Sequence, residues 1–494
     1  MSRVSDLYRP SLATLTDLYE LTMGAGYELA GLADRETVFA LSFRTLPFGG
    51  GYAVAAGLDD ALAILERLHF DAIDIDYLGG LRGAEGRPVF RRDFIDRLAR
   101  LEFTCQVDAI PEGTVVFANE PLLRVRGPLL QAQLVESILL TVIGFQTLVA
   151  TKAARVVEAA GGATVLEFGM RRAQGLDGAL TAARAAYIGG VAATSNAMAG
   201  RLFGIPVRGT HAHSWVQAFE DEQRAFDAYA EAQPDNVTLL VDTYDSLTGV
   251  AHAIETGKRL RARGRNLAGI RLDSGDLAYL SIEARRMLDD AGFTDTKIVA
   301  SNDLDEHTIA SLREQGSRID IWGVGTRLVT AYDQPALGAI YKLSAICEPE
   351  SGWRYPVKLS EHSSKISIPG VLGVRRFIDE SGRFRSDMIY DEDLPAGPDS
   401  DVIVDPADAL HMRVIEPSWK SEELLLPALR DGRRVSQAPE LDDVRARAQA
   451  QIRSLHPAIR RLLNPHIYPV GLEMRLHERR TALVLERRRR QHQA

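Results

Sequence analysis

Six short apolar runs in the middle of the chain each end in charged, hydroxyl or glycine residues. The segments between them are long enough for crossover helices, and the runs begin near residues 163, 205, 237, 268, 297 and 319. Buried parallel strands read as unbroken apolar runs, and a barrel of such strands gathers its chemistry at the C-terminal strand ends. The pattern therefore predicts an irregular, TIM-like α/β barrel with a polar site at one end.

The segments on either side of these runs predict two further parts of the 494-residue chain. Residues 1–150 read as an N-terminal α/β sandwich domain that ends in a helical connection, and residues 151–345 hold the barrel. Residues 346–494 read as strands that rejoin the first domain, including residues 357–360 and 365–370, followed by a charged helical tail. We interpret the arginine-rich end of this tail as a solvated helix, with a nucleic-acid-binding arm as the alternative.

The composition indicates a soluble protein. The net charge of -9 gives no reason to expect nucleic acid as the principal partner. Two cysteines, Cys105 and Cys347, cannot build a disulfide framework and suit a reducing cytosol. Residues 129–149 come closest to a membrane-spanning length, but polar side chains interrupt them. We therefore expect a cytoplasmic protein without a nucleic-acid or membrane partner.

Residues 209–214, Gly-Thr-His-Ala-His-Ser, carry two histidines at a predicted strand end. On an extended backbone His211 and His213 lie on the same face, and both can act near neutral pH. Either could be a general base or a nucleophile, both could bind a metal, or both could be satisfied structural residues. The motif alone does not choose between these interpretations.

Carboxylates follow two neighbouring runs. Arg271 and Asp273 place a cation and an anion on one face, a pair that can hold an anionic group with a magnesium ion or form a structural ion pair. One run earlier stand Asp242 and Asp245, although Asp245 could instead cap the next helix. Together these side chains favour a magnesium–phosphate site.

Two other strand ends carry weaker signals. Gly323 and Gly325 let the backbone approach a ligand, and their amides can cradle a phosphate, although tight turns use glycine equally. Phe168 and Arg171 could stack on an aromatic acid and pair with its charge, while a phenylalanine at a strand end can also belong to the core.

Taken in order, these motifs resemble the nicotinate phosphoribosyltransferase family of type II phosphoribosyltransferases. The motifs that carry the resemblance are residues 15–23 (Leu-Thr-Asp-Leu-Tyr-Glu-Leu-Thr-Met), 167–175, 209–214, 271–276, 301–306 and 323–326. The resemblance implies synthesis of nicotinate mononucleotide from nicotinate and phosphoribosyl pyrophosphate, on the route to NAD. It further implies ATP as co-substrate, Mg²⁺ as cofactor, and a homodimer whose subunits complete each other's sites.

The resemblance also assigns roles to single residues. It implies that ATP phosphorylates His213, and it makes Arg271 and Asp273 the other catalytic candidates. Phe168 and the partner subunit's Tyr19 are expected to sandwich the pyridine ring. The role of His211 stays open.

The anionic groups of the substrates are assigned in the same way. Arg171 and Arg271 are expected to bind pyrophosphate and the substrate anion, while Asp242 and Asp273 lie near the ribose and the magnesium ion. The remaining substrate-binding candidates are Thr210 and, around the 5′-phosphate, Asn302, Asp303, Gly323, Gly325 and Thr326.

Two alternatives accompany this assignment. Nicotinamide phosphoribosyltransferase shares the fold and the histidine, but it places an aspartate at the position of Ser195, where the aspartate accepts a hydrogen bond from the amide. An aspartate would repel a carboxylate whereas Ser195 can donate to one, so Ser195 favours nicotinate. The second alternative is a non-catalytic barrel that binds a nucleotide as a sensor or scaffold. A decarboxylating quinolinate enzyme fits less well, because it does not need the histidine and is a shorter chain.

Overall fold

The structure, a computed structural model, describes residues 11–359, 367–395, 397 and 400–493. The chain divides into two compact units. The barrel unit is Val149–Pro335, and the flanking unit comprises the chain up to Leu148 and from Ala336 onward.

The regular elements of the described residues are sixteen helices and twenty-one strands. The helices are α1 (Leu18–Leu29), α2 (Leu58–Leu65), α3 (Ala72–Gly80), α4 (Arg92–Leu98), α5 (Leu129–Leu134), α6 (Glu136–Ala160), α7 (Gly175–Ile188), α8 (Ala197–Phe203), α9 (His213–Gln217), α10 (Glu222–Ala232), α11 (Ser246–Ala262), α12 (Leu277–Asp290), α13 (Glu306–Glu314), α14 (Thr326–Val329), α15 (Leu441–Ser454) and α16 (Met474–Gln493). The strands are β1 (Glu36–Phe43), β2 (Ala53–Val54), β3 (Gln106–Ala109), β4 (Val115–Val116), β5 (Leu123–Pro128), β6 (Thr164–Glu167), β7 (Ala193–Thr194), β8 (Val237–Leu240), β9 (Leu267–Leu272), β10 (Lys297–Ala300), β11 (Ile321–Val324), β12 (Ala339–Glu348), β13 (Gly352–Arg354), β14 (Leu372–Ile378), β15 (Phe384–Asp391), β16 (Val402–Val404), β17 (Met412–Val414), β18 (Lys420–Glu423), β19 (Leu426–Arg430), β20 (Arg433–Arg434) and β21 (Val470–Glu473).

The barrel unit is built on a six-stranded sheet in the order β7-β6-β11-β10-β9-β8. Every neighbouring pair is parallel, which confirms the predicted α/β class and the parallel strands of the barrel. The strands are short, and most of their residues are buried, as the unbroken apolar runs indicated. The order leaves β7 and β8 as the two edges of the sheet.

Aspartates begin the helices that follow three of these strands. Asp245 caps α11 by accepting the amide of Thr248, and Asp276 and Asp305 cap α12 and α13 in the same way. Side-chain caps of this kind satisfy amides that have no partner inside the helix. Asp245 therefore takes the capping role that the sequence offered as the alternative to metal binding.

The second apolar run, near residue 205, is not a strand, and this prediction was wrong. Only Val207 forms an isolated parallel bridge, with Thr194 of the two-residue strand β7. The neighbouring Pro206 has no amide hydrogen, so it cannot donate to a ladder, and the polar residues that follow it leave the sheet. The position next to β6 is taken by β7 instead.

The flanking unit contains two larger sheets. The first has the order β13-β12-β1-β5-β3-β19-β20, so strands from beyond residue 336 complete a sheet begun by N-terminal strands. This confirms the predicted N-terminal α/β domain with C-terminal additions. The second, β17-β16-β21-β15-β14-β18, consists of C-terminal strands alone. Of the two segments predicted as strands, residues 357–359 and 367–370 are not in strands, and residues 360–366 lie outside the described residues.

Helix α6 is long and apolar enough to cross a membrane, judged by length and composition. However, 72% of its most apolar window is buried inside the structure, as in the core helix of a folded domain. Cys105 and Cys347 are both free thiols.

Candidate active site

A cavity of about 480 Å³ opens at the C-terminal ends of the barrel strands. It brings together residues that lie far apart in the sequence. Its predicted site residues are Phe168, Arg171, Ser195, Thr210, His213, Arg271 and Asp273, and His211, Met170 and Leu240 also line it.

The turn after β6 fixes Phe168 above the last strand. The amide of Phe168 donates to the carbonyl of Val324 at 2.8 Å. A Cβ atom on Gly323 would lie 2.6 Å from the Phe168 ring, so only glycine leaves room for the aromatic side chain. Gly323 thus has a packing role that explains its presence without a phosphate.

Glu167 joins this turn to the segment that carries Ser195. Its buried carboxylate accepts the amide of Gly169 and the hydroxyl of Thr194, and its backbone carbonyl accepts the amide of Ser195 at 2.9 Å. Burial raises the pKa of the Glu167 carboxyl. Phe168 and Ser195 are therefore placed side by side by one buried residue.

Arg271 connects three loops of the site. Its guanidinium donates to the hydroxyls of Thr210 at 3.0 Å and Ser301 at 2.8 Å, and to Asp273 Oδ1 at 3.0 Å. The guanidinium also lies 5.7 Å from the centre of the Phe168 ring, within cation–π range. Because it lines the cavity, Arg271 is placed to meet an anionic group of a ligand.

Asp242 has one oxygen occupied and one left over. Oδ2 accepts the amide of Asp273 at 2.8 Å and the hydroxyl of Ser274 at 2.6 Å. Oδ1 is buried and finds no hydrogen-bond partner among the described residues. A buried carboxylate oxygen without a donor is a good ligand for a cation, and Mg²⁺ is commonly held by one or two carboxylates plus substrate oxygens. Asp242 Oδ1 fits this ion, whereas Asp273 Oδ1 is engaged by Arg271 and Ser301, and no group of three potential metal ligands is present in the described residues.

The two histidines have opposite environments. The side chain of His213, the first residue of α9, is 40% exposed. Its Nδ1 lies 3.2 Å from the hydroxyl of Thr243 and its Nε2 3.8 Å from Asp273 Oδ2. His211 is buried, its Nε2 accepts the amide of Leu240 at 3.1 Å, and burial lowers its pKa to about 4. Only His213 combines an accessible imidazole with a neighbouring carboxylate.

Of the residues predicted to hold the 5′-phosphate, Gly323 lies within β11 and the others follow β10 or β11 at the same edge of the sheet, but none of them lines the cavity. Asn302 has a φ of 116°, a backbone conformation that residues other than glycine rarely adopt. Such conformations are most often found at functional sites. Asp303 is exposed beside it, and Gly325 and Thr326 begin the short helix α14.

Tyr19 is the one predicted site residue that belongs to the flanking unit. It lies on α1 and remains 45% exposed. Burial and a hydrogen bond to Glu136 raise the pKa of its hydroxyl. The barrel cavity of the single chain does not include it.

Several functional side chains escaped the reading of the sequence. The hydroxyls of Thr243, Ser274 and Ser301 orient His213, Asp242 and Arg271, yet isolated hydroxyl residues at strand ends carry no distinctive pattern. Their only signal was their position beside predicted site residues.

A second cavity, of about 270 Å³, lies in the flanking unit and is lined by Arg44, Lys342 and Arg480 among others. Burial lowers the pKa of Lys342, and repulsion from Arg44 and Lys358 adds to the effect. The pairing of β1 with β12 brings Arg44 and Lys342 together, and Arg480 comes from α16, so no local sequence pattern indicates the cluster. The carboxylate of Asp405 also lines this cavity, so cations predominate in its lining but do not make it up alone.

The parallel sheet, the cationic and aromatic cavity at its C-terminal edge and the orphan carboxylate define an α/β enzyme that acts on anionic substrates. Comparison with known proteins is more specific. Residues 14–144, 163–351 and 373–480 match the N-terminal domain, the family domain and the C-terminal domain of nicotinate phosphoribosyltransferase. The chain therefore belongs to the nicotinate phosphoribosyltransferase family, and it is an enzyme of this type.

Individual relatives agree along nearly the whole length. The chain is 44% identical to nicotinate phosphoribosyltransferase of Bacillus subtilis (strain 168), covering 94% of this chain and 93% of that one. It is 43% identical to nicotinate phosphoribosyltransferase pncB2 of Mycobacterium tuberculosis, covering 94% and 92%. The crystal structure of human nicotinic acid phosphoribosyltransferase superimposes with a TM-score of 0.82 at 32% identity, covering 95% of this chain and 99% of that one. These matches favour the nicotinate enzyme over the nicotinamide enzyme and the non-catalytic barrel.

Proposed function

We propose that this enzyme couples synthesis of nicotinate mononucleotide to hydrolysis of ATP through phosphorylation of His213. The observation that carries the proposal is the exposed imidazole of His213 beside Asp273, in the same cavity as Phe168, Arg171 and Arg271. In the transfer itself, the ring nitrogen of nicotinate forms a bond to the anomeric carbon of phosphoribosyl pyrophosphate, and the bond to pyrophosphate breaks. The two free thiols support a cytoplasmic site of action.

The nicotinate ring is proposed to stack on Phe168, with its carboxylate directed to Arg171 and Ser195. All three residues line the cavity, and Glu167 fixes the spacing between the aromatic ring and Ser195. The partner subunit's Tyr19 is proposed to cover the other face of the ring in a homodimer. An aromatic clamp would hold the ring nitrogen in line with the anomeric carbon and so supply proximity.

Charge develops on both sides of the breaking bond. Arg271 is held rigidly by Thr210, Ser301 and Asp273, so it can stabilise the leaving pyrophosphate without reorganising. Asp242 and Asp273 would hold Mg²⁺, which would supply further neutralisation of the pyrophosphate oxygens. Asn302, Asp303, Gly325 and Thr326 are proposed to receive the 5′-phosphate at the ends of the last two strands.

The ATP-dependent step uses His213 as nucleophile. An imidazole nitrogen forms a bond to the γ-phosphorus of ATP, the bond to the bridging oxygen breaks, and ADP leaves. We assign the imidazole proton to Nδ1, which donates it to the Thr243 hydroxyl in a hydrogen bond, so that the unprotonated Nε2 is the nucleophile and receives the phosphoryl group. Hydrolysis then returns the imidazole and releases inorganic phosphate, which draws an otherwise reversible transfer towards product.

The test is an assay of nicotinate mononucleotide and ADP with purified enzyme, omitting ATP, phosphoribosyl pyrophosphate or nicotinate in turn. We expect product with all three substrates and a weak rate without ATP. In His213→Ala, ATP should no longer raise that weak rate, whereas His307→Ala, which alters an exposed histidine of α13, should behave as the wild type. Unchanged ATP stimulation in His213→Ala would contradict the proposal.

A further inference from the structure

We infer that His211 is a positioning residue that closes the barrel at its open edge and thereby sets the position of His213. The inference concerns a side chain to which the proposed function gives no role, and it rests on that function for the meaning of His213. It follows from how residues 206–211 span the two edge strands of the sheet.

The first contact of this segment is with β7, through the backbone. The amide of Thr194 donates to the carbonyl of Pro206 at 3.0 Å, and the amide of Arg208 donates back to the carbonyl of Thr194 at 3.0 Å. These two bonds surround the single bridge between Thr194 and Val207. The chain then leaves β7 after one residue, so no ladder continues along this edge.

The second contact is with β8, through a side chain. On its inner side β8 bonds to β9, where the amide of Val241 donates to the carbonyl of Arg271. The amide of Leu240 points the other way, to the open edge, and is buried. It donates to Nε2 of His211 at 3.1 Å. The imidazole thus supplies the acceptor that a further strand would otherwise supply, because a buried amide without a partner is costly.

The surroundings of His211 hold the ring in this one arrangement. Its ring packs edge-on against Tyr229 at 4.7 Å and near Phe226 at 6.1 Å, both on α10. As an acceptor Nε2 carries no proton, so the proton is on Nδ1, which faces the backbone carbonyl of Ala212. Burial and the charge of Arg271 lower the pKa of His211 to about 4, in accord with a ring that stays neutral.

Two site residues depend on this anchor. Thr210, one residue before His211, accepts a hydrogen bond from the guanidinium of Arg271 at 3.0 Å. His213, two residues after it, begins α9 and faces Thr243 and Asp273. An anchor between them fixes where the nucleophile stands relative to the carboxylate and the arginine. His211 therefore acts through its neighbours, and neither of its nitrogens is available to accept a phosphoryl group.

The test compares two substitutions of His211. His211→Gln can place an amide oxygen near the position of Nε2 and keep an acceptor for Leu240, whereas His211→Leu is of similar size and has no acceptor. The control is Leu288→Ala, a buried change near the C-terminal end of α12, away from the strand ends that form the cavity. It lowers stability without altering the site.

Four quantities are measured in each variant: kcat with ATP, the KM for nicotinate, the fraction of enzyme that ATP phosphorylates, and hydrogen exchange of the peptide containing Leu240. In His211→Leu we expect kcat and the phosphorylated fraction to fall about ten- to hundredfold, because small misplacements of reacting groups have effects of this size. The KM for nicotinate should change less than kcat, since the residues proposed to contact the ring and its carboxylate, Phe168, Arg171 and Ser195, lie outside this segment although they line the same cavity. Exchange at Leu240 should accelerate, His211→Gln should restore most of each quantity, and Leu288→Ala should retain kcat.

Two results would overturn the inference. One is wild-type kcat and phosphorylation in His211→Leu. The other is a His211→Gln variant as impaired as His211→Leu while Leu240 stays protected, which would mean that the imidazole itself takes part in the chemistry. Failure of the proposed function would look different, because the wild type would then show no ATP-dependent phosphorylation at all.

Discussion

Two charged clusters in this protein contain the same residue types but differ in their surroundings. In the barrel unit, Arg271 and Asp273 line an open cavity with His213, and Asp242 keeps a buried oxygen without a donor. In the flanking unit, Arg376 is fully buried and gives three hydrogen bonds to Asp387.

Nearly all hydrogen-bonding groups of the cluster in the flanking unit find partners within the protein. Arg376 also donates to the carbonyl of Val115 at 2.8 Å and to Gln451 at 3.2 Å, and Tyr468 donates to Asp387 at 2.8 Å. The exception is Oε1 of Glu120, whose carboxyl has its pKa raised well above the ordinary value by burial and by Asp387. Remaining exposure and unused bonding capacity, more than residue type, distinguish the barrel cluster, which we propose is reactive, from the structural cluster of the flanking unit.

The largest effect should follow a change in the reactive cluster. Arg271→Met should lower kcat/KM by about 10²–10³-fold, the usual result of losing one preorganised donor to developing charge. The free energy of unfolding should fall by less than for loss of the fully buried Arg376, because Arg271 borders a cavity and Asp273 keeps the hydroxyl of Ser301 as a partner. Steady-state kinetics measure the change in kcat/KM, and urea unfolding measures the change in the free energy of unfolding. A variant that lost stability but kept its activity would contradict the distinction between the two clusters.

The structural cluster should respond in the opposite way. Arg376→Met leaves Asp387 buried without its cation and should cost about 3–5 kcal/mol of stability, while adding Asp387→Leu should recover much of it. Urea unfolding of the two variants measures this. Arg286→Met, which removes an exposed pair with Glu283, serves as control and should have no measurable effect. Equal costs for the single and double variants would show that the pair is not a coupled unit.

Ser195→Asp tests substrate choice within the reactive cluster. We expect kcat/KM for nicotinate to fall at least about a hundredfold, since opposing like charges costs several kcal/mol and each 1.4 kcal/mol is about tenfold. Ser195→Asn, which keeps a neutral donor, is the matched control and should retain nicotinate use. Unaltered nicotinate kinetics in Ser195→Asp would remove Ser195 from carboxylate recognition.

The smallest effect concerns pH and the structural cluster. The folded-state pKa of Glu120 is raised, so the stabilisation from its protonated form is complete below the ordinary value of 4.5 and is lost as pH rises towards the folded-state pKa. Glu120→Gln keeps an acceptor for the amide of Phe117 and does not titrate. The variant should therefore gain stability relative to the wild type as pH increases. Urea unfolding at a series of pH values above 4.5 measures the difference in free energy of unfolding between the variant and the wild type. A difference that stayed constant with pH would contradict this prediction.

The sequence predicted most of the reactive cluster because its residues follow apolar strands directly. Phe168, Arg271 and Asp273 each stand at the end of a buried run, and parallel strands bring such ends to one edge. The same reasoning failed near Val207, where an apolar run containing proline imitated a strand and the two-residue β7 was too short to show a pattern.

Other features could not be read from local patterns at all. The hydrogen bond from the amide of Leu240 to His211 joins residues 29 positions apart. Only the structure at the edge of β8 shows which of the two histidines accepts it. The sheet β17-β16-β21-β15-β14-β18 was not predicted, because charged residues interrupt its longer strands β14 and β15 and its edge strand β18 is exposed and charged. The cations of Arg44 and Lys342 meet only through the pairing of β1 and β12.

We propose that the accessible His213 takes the phosphoryl group while its buried neighbour His211 holds the scaffold. The most direct test is to incubate the enzyme with ATP and map the phosphorylated residue by mass spectrometry under conditions that preserve phosphohistidine. We expect phosphate on His213 and none on His211. Phosphate on His211, or ATP-stimulated synthesis with neither histidine phosphorylated, would contradict it.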